Sequence, residues 1–472
     1  KVDFLKLDGV GPGSFKGGAN YDNTTDVAAW SNALAATGRP IQFVISWALS
    51  PLQSDTWKSY TNGWRVDTDV ECYCNTITTW NSSVKQRWND VIPFIDDAGP
   101  GHWNNLDSVD VGVGSMDGLT DAERQSEMTL WALEAAPLYS GDDLTKLDAY
   151  GKSLLTNDEV IAVDQAGRPA RPVNQYSQQQ TWYSANPDGS VTVGLFNLAD
   201  AARTVTMPLS DIGLSGTATV RDLWAHSSLG GVSSSFSADL PAHGSRLLTF
   251  TPRKSGLAAP TRLRAAAATA DGFSLAWNAA ANAPAGTRYD VRVDNHTVST
   301  VDATSTTVTG LTSGSAHTFQ VQAVAGRNSS SVWSSALRLT TPGSGGPVTY
   351  EAESPDNRRV GSASIGSCSQ CSGGAKVGNL GGGSSLVFTS INVPVDGTYL
   401  MKLSYTDGSS GRQAIVTPNG GTPVYANLVG TNNNDWDTPH TITLPVTLHA
   451  GTNSIQIGNP SDYVSDIDAI WI

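Results

Sequence analysis

The chain is poor in charged residues, and most of those it has are acidic. Charged side chains make up 15% of the 472 residues, and 29 Lys and Arg stand against 43 Asp and Glu, a net charge of −14. A surface that binds a phosphate backbone or an anionic bilayer needs the opposite sign. The composition therefore argues against both nucleic acid and membrane as partners.

Long apolar runs and cysteines are also scarce. No apolar run reaches the ~20 residues that a membrane-spanning helix needs. The four cysteines form two close pairs, Cys72/Cys74 and Cys368/Cys371, in stretches with different patterns. One shared metal site is the alternative, but this separation favours local disulfides or free thiols in a secreted, extracellular protein. Because the chain starts with Lys1 inside a strand pattern and shows no secretion signal, we expect its natural N-terminus further upstream.

Glycine and tryptophan are abundant, with 47 and 14 residues. Combined with few charges, this composition is typical of secreted β-rich proteins that handle neutral sugars. A chain of 472 residues is too long for one compact core, so we expect several domains.

Residues 1–172 alternate strand and helix patterns. Strand patterns occur at 2–7, 41–46, 64–66, 106–113 and 137–140, and helical patterns at 26–34, 79–92 and 121–136. This alternation predicts a parallel sheet. Five strands are too few for a closed eight-stranded barrel of ~250 residues. The sheet is therefore either open and doubly wound, or completed by three strands upstream of Lys1.

The remainder of the chain has the patterns of β-domains. From 173 to 255 the apolar period becomes two, which predicts short antiparallel strands. Residues 259–341 and 348–472 also have strand patterns, and the Gly-, Ser- and Pro-rich stretch between them predicts a flexible linker.

Acidic residues follow two of the predicted parallel strands. Asp8 follows the first strand and precedes a glycine-rich loop, and Asp67 and Asp69 follow the third. The C-terminal ends of parallel strands share one edge, where α/β barrels carry their chemistry. The alternative is that these acids cap turns or lie in solvated loops.

Five motifs, in order, resemble those of glycoside hydrolase family 27, the α-galactosidase and α-N-acetylgalactosaminidase family. They are LKLD at 5–8, WRVDTD at 64–69, GHWNNLD at 101–107, the stretch 118–138 and GDDL at 141–144. Asn105 and Leu106 depart from the family's G-x-W-N-D-P-D. The resemblance covers residues 1 to about 250. It implies that 1–172 hold strands 4–8 of a (β/α)8 TIM barrel and that 173–255 form the antiparallel β-domain behind it.

The resemblance also implies the chemistry. It predicts a retaining enzyme that hydrolyses terminal α-D-galactosyl residues by double displacement without a cofactor. Asp8 would be the nucleophile and Asp69 the acid/base, since a retaining enzyme needs two carboxyl groups about 5–5.5 Å apart. Lys6 points the same way as Asp8 because strand side chains alternate. Lys6 and Arg65 are expected to hold sugar hydroxyls.

The second strand is predicted to select the sugar. Galactose-specific relatives carry Glu at the position of Ser46 and a bulky residue three positions on, whereas relatives that take N-acetylgalactosamine carry Ser and Ala there. This chain combines Ser46 with Leu49. We therefore expect weaker binding of the 2-hydroxyl and steric exclusion of the acetamide. Trp47 and Trp103 complete the predicted substrate-binding set, with a core role as the alternative for Trp103.

Other activities compatible with the sequence define the alternatives. Within the family they are β-L-arabinopyranosidase, α-N-acetylgalactosaminidase and isomalto-dextranase. Outside enzymes, the alternative is a non-catalytic carbohydrate-binding protein that has retained the barrel. The pair of Asp8 and Asp69 favours an enzyme, because a decayed barrel need not keep both.

The two trailing regions resemble known modules. Residues 259–341 resemble a fibronectin type III sandwich, with Trp277, Tyr289 and Phe319 as its predicted core and a spacer as its predicted role. Residues 348–472 resemble a family 35 carbohydrate-binding module, with family 6 close behind, which implies a jelly-roll β-sandwich. The motifs that carry this second resemblance are YEAE at 350–353 and DIDAI at 466–470.

The last module is predicted to bind Ca²⁺ and sugar. Carboxylates that meet from the first and last strands suit Ca²⁺, which selects Glu351, Glu353 and Asp468. The alternative is that they are charges that protect a strand edge. Trp436, Asn459 and Tyr463 lie in loop-like stretches and are the predicted sugar contacts.

Overall fold

The computed structural model describes residues 2–11, 23–46, 49–72, 74–252, 257–325 and 329–472. Four regions of different architecture follow one another along the chain. Four clusters of buried apolar side chains form their cores, and the cluster under the first region extends into the second.

A parallel sheet organises the first region. Its strands, adjacent in chain order, are β1 (Phe4–Leu7), β2 (Gln42–Ile45), β3 (Gly63–Arg65) and β4 (Trp103–Asn105). Every pairing is parallel, so the C-terminal ends of all four strands lie along one edge. The helices around the sheet are α1 (Thr24–Ala36), α2 (Ser54–Lys58), α3 (Arg87–Asp90), α4 (Gly114–Asp117), α5 (Asp121–Leu133), α6 (Ala149–Leu155) and α7 (Asp158–Gln165).

The fourth strand lies earlier than the sequence predicts. The strand pattern favoured 106–113, whereas the residues that pair with β3 are 103–105. Leu106, Val109 and Val111 are buried, so the pattern correctly indicated burial but misplaced the ladder. Within the described residues, the predicted fifth strand is represented by one parallel bridge between Val109 and Ser140.

The predicted helix at 79–92 is broken into three short pieces. A π-turn covers Trp80–Val84, α3 follows, and a 3₁₀ turn covers Ile92–Phe94. The apolar stripe therefore correctly predicted that these side chains are buried. It did not predict that the helix is interrupted. Pro93 lies inside the 3₁₀ turn, where its missing N–H costs little.

Helix α5 joins the first region to the second. Thr120 and Glu123 form a reciprocal capping box at its start, with Thr120 N donating to Glu123 Oε2 at 2.7 Å. Along the helix, Gln125 Nε2 donates to Ser245 O at 3.0 Å and Ser126 Oγ donates to His243 O at 2.6 Å. These bonds hold the sheet region against the following β-domain.

The second region is an antiparallel β-sandwich. Its sheets have the orders β10-β9-β12-β7-β6-β5 and β11-β8. The strands are β5 (Arg171–Pro172), β6 (Gln179–Ala185), β7 (Val191–Asn197), β8 (Arg203–Pro208), β9 (Thr217–Asp222), β10 (Ser227–Ser233), β11 (Ser235–Leu240) and β12 (Ser245–Pro252). Its first strand begins slightly before the predicted boundary at 173.

The third region is a smaller sandwich with sheet orders β13-β14-β17 and β16-β15-β18-β19. Trp277, Tyr289 and Phe319 are buried in its core, as the sequence predicts. The strands are β13 (Thr261–Thr269), β14 (Gly272–Asn278), β15 (Arg288–Val293), β16 (His296–Val301), β17 (Ser305–Val308), β18 (Ala316–Val324) and β19 (Leu337–Thr340).

The fourth region is a two-sheet β-sandwich, which we call the terminal module. Its main sheets have the orders β22-β23-β32-β26-β29, with β20 also paired to β32, and β21-β25-β30-β27-β28, and β24 pairs with β31. The strands are β20 (Thr349–Glu351), β21 (Arg358–Val360), β22 (Ser364–Ser367), β23 (Ala375–Gly378), β24 (Leu380–Gly381), β25 (Ser385–Val393), β26 (Gly397–Thr406), β27 (Gly411–Pro418), β28 (Val424–Val429), β29 (His440–Leu448), β30 (Gly451–Gly458), β31 (Tyr463–Val464) and β32 (Asp466–Trp471).

The terminal module packs back onto earlier regions. Tyr176, from the loop before β6, packs against the module's core, and its carbonyl accepts a hydrogen bond from Tyr425 N at 3.4 Å. Leu400 of β26 packs against the core of the third region, and Gly397 lies against Thr340. The module is therefore held at two places.

Both predicted cysteine pairs are disulfides, Cys72–Cys74 and Cys368–Cys371. Among the described helices, none has the length and apolarity to cross a bilayer.

Candidate active site

Several of the predicted site residues lie at the C-terminal edge of the parallel sheet. Asp8 follows β1, Ser46 follows β2 and Arg65 ends β3. The ladder places Lys6 beside Val44, and Leu7 O accepts a hydrogen bond from Ser46 N at 2.9 Å. Lys6 and Asp8 are exposed, so both can reach a ligand at this edge.

Arg65 is the centre of the site's ion pairs. It is 1% exposed, and its Nη2 lies 3.0 Å from Asp69 Oδ1 while its Nη1 lies 2.7 Å from Asp107 Oδ1. Nη2 also donates to Thr68 O at 2.8 Å. The buried guanidinium binds two carboxylates in fixed directions, and it therefore orients the carboxylate of Asp69.

Asp107 is a residue that the sequence analysis left without a role. Its backbone has a left-handed φ of 84°, which is unfavourable for a residue other than glycine. Asp107 Oδ2 accepts from Val70 N at 2.8 Å, and Asp107 O accepts from Trp131 Nε1 at 2.9 Å. These bonds hold the strained backbone in place. The signal in the sequence was its position at the end of GHWNNLD.

Tyr139 is a second residue that the sequence analysis did not assign to the site. Its hydroxyl donates to Asp107 Oδ1 at 3.2 Å and to Asn105 Oδ1 at 3.3 Å. Burial and the negative charge of Asp107 raise the pKa of Tyr139, so it remains a donor at neutral pH. The sequence analysis predicted only a strand at 137–140.

The predicted sugar-selecting residues lie at the same edge as Arg65. Ser46 is fully buried, and within the described residues its Oγ has no hydrogen-bond partner. Leu49 N donates to Arg65 O at 3.2 Å, while the Leu49 side chain is buried in the core. Trp47 lies outside the described residues.

Trp103 does not lie at this edge. The ladder places it opposite Gly63, two residues before Arg65, and therefore at the other end of its strand. Its ring packs at about 3 Å from the position that a Cβ on Gly167 would take. The prediction of Trp103 as a wall of the sugar site is therefore corrected to a packing role.

A second group of acids is buried beside the edge, and the sequence analysis did not predict it. Burial, with the charge of Glu71, raises the pKa of Asp110 to about 7, and burial, with the charge of Asp142, raises the pKa of Asp117 to about 7. Glu127 is fully buried, its pKa is raised by burial and by Asp110, and its Oε1 accepts from Asp110 N at 2.9 Å. These groups can hold protons near neutral pH.

In the terminal module, Arg412 lies between two of the predicted sugar contacts. Its Cζ lies 4.9 Å from the ring centre of Trp436 and 5.8 Å from that of Tyr463. Tyr463 is 66% exposed. Asn459 is 7% exposed, and its amide donates to Gln413 O and accepts from Ser461 N, each at 3.1 Å. The structure thus shows Asn459 hydrogen-bonded within its own surroundings and places Arg412, which the sequence analysis did not consider, between the two rings.

The predicted metal ligands lie in one part of the module, where the charges of Glu351 and Asp468 both act on Glu353. Each of Glu351, Glu353 and Asp468 has one buried carboxylate oxygen that makes no hydrogen bond to any described residue. Burial and the charges of the other two acids raise the pKa of Glu353. Gly373, with a φ of 65°, lies against Glu353, and a Cβ there would overlap the carboxylate. Unpaired carboxylate oxygens that repel one another suit a hard cation.

Comparison with family models divides the chain in the same way as its architecture. Residues 1–166 match the model described as alpha galactosidase A, and 177–250 match the alpha galactosidase C-terminal beta sandwich domain. Residues 258–339 match a fibronectin type III domain, and 351–472 match a carbohydrate-binding module of family 6. The chain therefore combines two regions of the α-galactosidase type with a fibronectin type III domain and a carbohydrate-binding module.

Curated relatives identify the family of the first half of the chain more specifically. The chain is 37% identical over 227 residues to an α-galactosidase from Cyamopsis tetragonoloba, covering 47% of this chain and 52% of that protein. It is 34% identical over 258 residues to an α-galactosidase from Coffea arabica, covering 53% of this chain and 64% of that protein. The first 250 residues belong to glycoside hydrolase family 27, the α-galactosidase family.

The chain spans about half to two thirds of the length of these curated relatives. Among solved structures, a family 27 β-L-arabinopyranosidase from Geobacillus stearothermophilus overlaps 54% of this chain and 59% of its own, with a TM-score of 0.49 and 27% identity.

Proposed function

We propose that this chain belongs to a secreted retaining glycosidase that removes terminal α-D-galactosyl residues, with its parallel sheet forming a section of a (β/α)8 barrel. Membership of family 27 supports the reaction class. The two disulfides support an oxidising, extracellular location. The acids at the C-terminal strand ends agree with the position of active sites in such barrels.

The observation that carries the proposal is the buried Arg65 that binds Asp69 and Asp107. Asp8 and Asp69 follow strands that are two positions apart in the sheet. Two strand spacings amount to about 10 Å between backbones. Side chains that reach inward from both strands can bring their carboxyl groups to the about 5–5.5 Å of a retaining enzyme.

In this proposal each acid has one task in each step. Asp8 attacks the anomeric carbon on the face opposite the leaving oxygen and forms a covalent glycosyl-enzyme. Asp69 donates a proton to that oxygen as the bond to the aglycone breaks. Asp69 then takes a proton from water, which attacks the same carbon and releases Asp8. Arg65 orients Asp69 in both steps.

The test uses leaving groups of different acidity in the protein that carries this chain. We expect Asp69→Ala to lower kcat/KM by at least about a hundredfold on an alkyl α-galactoside, because that leaving group needs a proton. The loss on a dinitrophenyl α-galactoside should be much smaller. Asp55→Ala is the matched control, since Asp55 is 97% exposed on α2. Equal losses on both substrates would contradict the role of Asp69.

For the terminal module we propose a Ca²⁺ site and a sugar-binding edge. Glu351, Glu353 and Asp468 would hold the ion, and their unpaired buried oxygens support this assignment. Tyr463 and Trp436 would present their rings to a sugar. The reaction proposed above needs no metal or other cofactor, because its two carboxylates supply both nucleophile and proton.

A further inference from the structure

A cleft separates the first region, which we call the catalytic half, from the terminal module. Its volume is about 960 Å³, near the upper end of the range of about 300–1,000 Å³ for ligand sites. One wall comes from the first region, where Asp67, Thr68 and Ser82 line it. The facing wall comes from the module, and Gln178 of the second region lies between the two.

The cleft adjoins the candidate acid/base. Thr68 O accepts hydrogen bonds from Arg65 Nη2 at 2.8 Å and from Arg87 Nη2 at 2.6 Å, and Arg87 Nη1 also binds Asp67 Oδ2 at 3.1 Å. Residues 67 and 68 are thereby fixed as a wall of the cleft, and the next residue in the chain is Asp69. An acid that protonates the leaving oxygen must stand on the aglycone side of the bond. The cleft therefore lies on the side towards which an aglycone extends.

The module's wall has the chemistry of a sugar-binding surface. Tyr463 is two-thirds exposed, and the Arg412 guanidinium lies 5.8 Å from its ring centre. Gln413 and Asn427 add amide groups, with Gln413 Nε2 donating to Asn427 Oδ1 at 3.2 Å. Aromatic faces and planar amides recognise neutral hydroxylated ligands through stacking and paired hydrogen bonds.

Two contacts fix the position of one wall of the cleft relative to the other. The Tyr176–Tyr425 hydrogen bond ties the second region to the module beside the cleft, and Leu400 anchors the module to the third region. A ligand that bridges the walls therefore does not have to order them first, which lowers the cost of binding.

We infer that this cleft binds the aglycone side of a neutral polysaccharide whose terminal galactosyl residue is cleaved at Asp8 and Asp69. The inference rests on the proposed function and extends it. The terminal module forms part of the substrate site, and a polymer contacts both walls at once. A small glycoside occupies only the strand edge and does not enter the cleft.

Two variants block the cleft from opposite sides. Ser82→Trp fills it from the catalytic half and Ser410→Trp from the module, and both serines are exposed residues on its walls. Ser390→Trp is the matched control, because Ser390 is exposed on β25 and does not line the cleft. We expect both blocking variants to lower kcat/KM about tenfold on a mannan backbone with single α-galactosyl branches. All three variants should retain activity on nitrophenyl α-galactoside.

Calorimetry with the same branched polysaccharide separates this inference from the proposed function. Ser82→Trp should weaken binding of the polymer about tenfold, although Ser82 belongs to the catalytic half and a self-contained module site would not respond to it. An unchanged affinity for Ser82→Trp, or no binding by the unmodified protein, would overturn the shared cleft. If nitrophenyl α-galactoside is not hydrolysed at all, the proposed function fails. A weakened affinity in Ser82→Trp would still support the cleft as a polysaccharide site.

Discussion

Replacing Asp110 by Asn should change how the stability of the first region depends on pH. Asp110 is fully buried, and its Oδ1 makes no hydrogen bond to any described residue. Burial and the charge of Glu71 raise its pKa from 3.8 to about 7. Because the folded state binds the proton more tightly than the unfolded state, Asp110 favours folding at low pH. That contribution is lost as the pH rises from the unfolded pKa through about 7.

The size of the effect follows from the two pKa values. Each pH unit between them lowers the free energy of unfolding by about 1.4 kcal/mol for one such group. Between pH 5.5 and 8.5 the loss continues only up to pH ~7, so it amounts to roughly 2 kcal/mol. Asn cannot ionise. The stability of Asp110→Asn relative to the unmodified protein should therefore increase by about 2 kcal/mol over this interval.

Urea unfolding at pH 5.5 and 8.5 measures this difference. Trp131 and Trp182 are buried in the core under the sheet and report its unfolding by fluorescence. Asp143→Asn is the matched control, because hydrogen bonds from Thr145 and Lys146 lower the pKa of Asp143 to about 2. Asp143 is ionised throughout the interval, so its replacement should not alter the pH dependence. An equal stability difference for Asp110→Asn at both pH values would refute the reasoning.

Two further predictions concern the module and the sugar. Excess Ca²⁺ should raise the melting temperature of the terminal module, because a ligand at a hundred times its Kd adds about 2.7 kcal/mol. Glu353→Ala should abolish the response, and scanning calorimetry with Ca²⁺ or chelator measures it; an unchanged melting temperature would refute the site. Leu49→Ala should open activity on nitrophenyl α-N-acetylgalactosaminide while costing about 2–5 kcal/mol of stability, since Leu49 is buried. An unmodified enzyme that already prefers this substrate over the α-galactoside in kcat/KM would contradict the steric argument.

Local patterns predicted much of the fold. Alternating strands and helices identified the parallel sheet, and the helical pattern that begins at residue 121 located the start of α5. The error at 106–113 has a physical cause. An alternating apolar pattern also occurs in chain that packs on a core without pairing, so periodicity could not separate Val109 from the ladder residues 103–105.

The location of a predicted site residue could be foreseen only where that residue ends a strand or directly follows one. Asp8, Ser46 and Arg65 fall into this class, because parallel pairing carries strand ends to one edge. Trp103 was misplaced because its role depends on which end of a short strand it occupies. Contacts between distant segments are not encoded locally, which is why Tyr139 binding to Asp107 escaped sequence reasoning.

The buried acids beside the site illustrate the same limit. Asp110 and Glu127 come from a loop and a helix, and only the packing of α5 brings the Asp110 amide to the Glu127 carboxylate. Arg412 of the module likewise gains its position because β27 lies next to β31, the strand that begins at Tyr463.

The nucleophile is the central claim, and azide rescue tests it most directly. In the protein that carries this chain, Asp8→Ala should abolish turnover of nitrophenyl α-galactoside. Added azide should restore part of it by attacking the anomeric carbon from the vacated face, which gives β-galactosyl azide. Product analysis by NMR identifies the azide and its configuration. Near-normal turnover by Asp8→Ala without azide, or formation of the azide only by Asp69→Ala, would contradict the account.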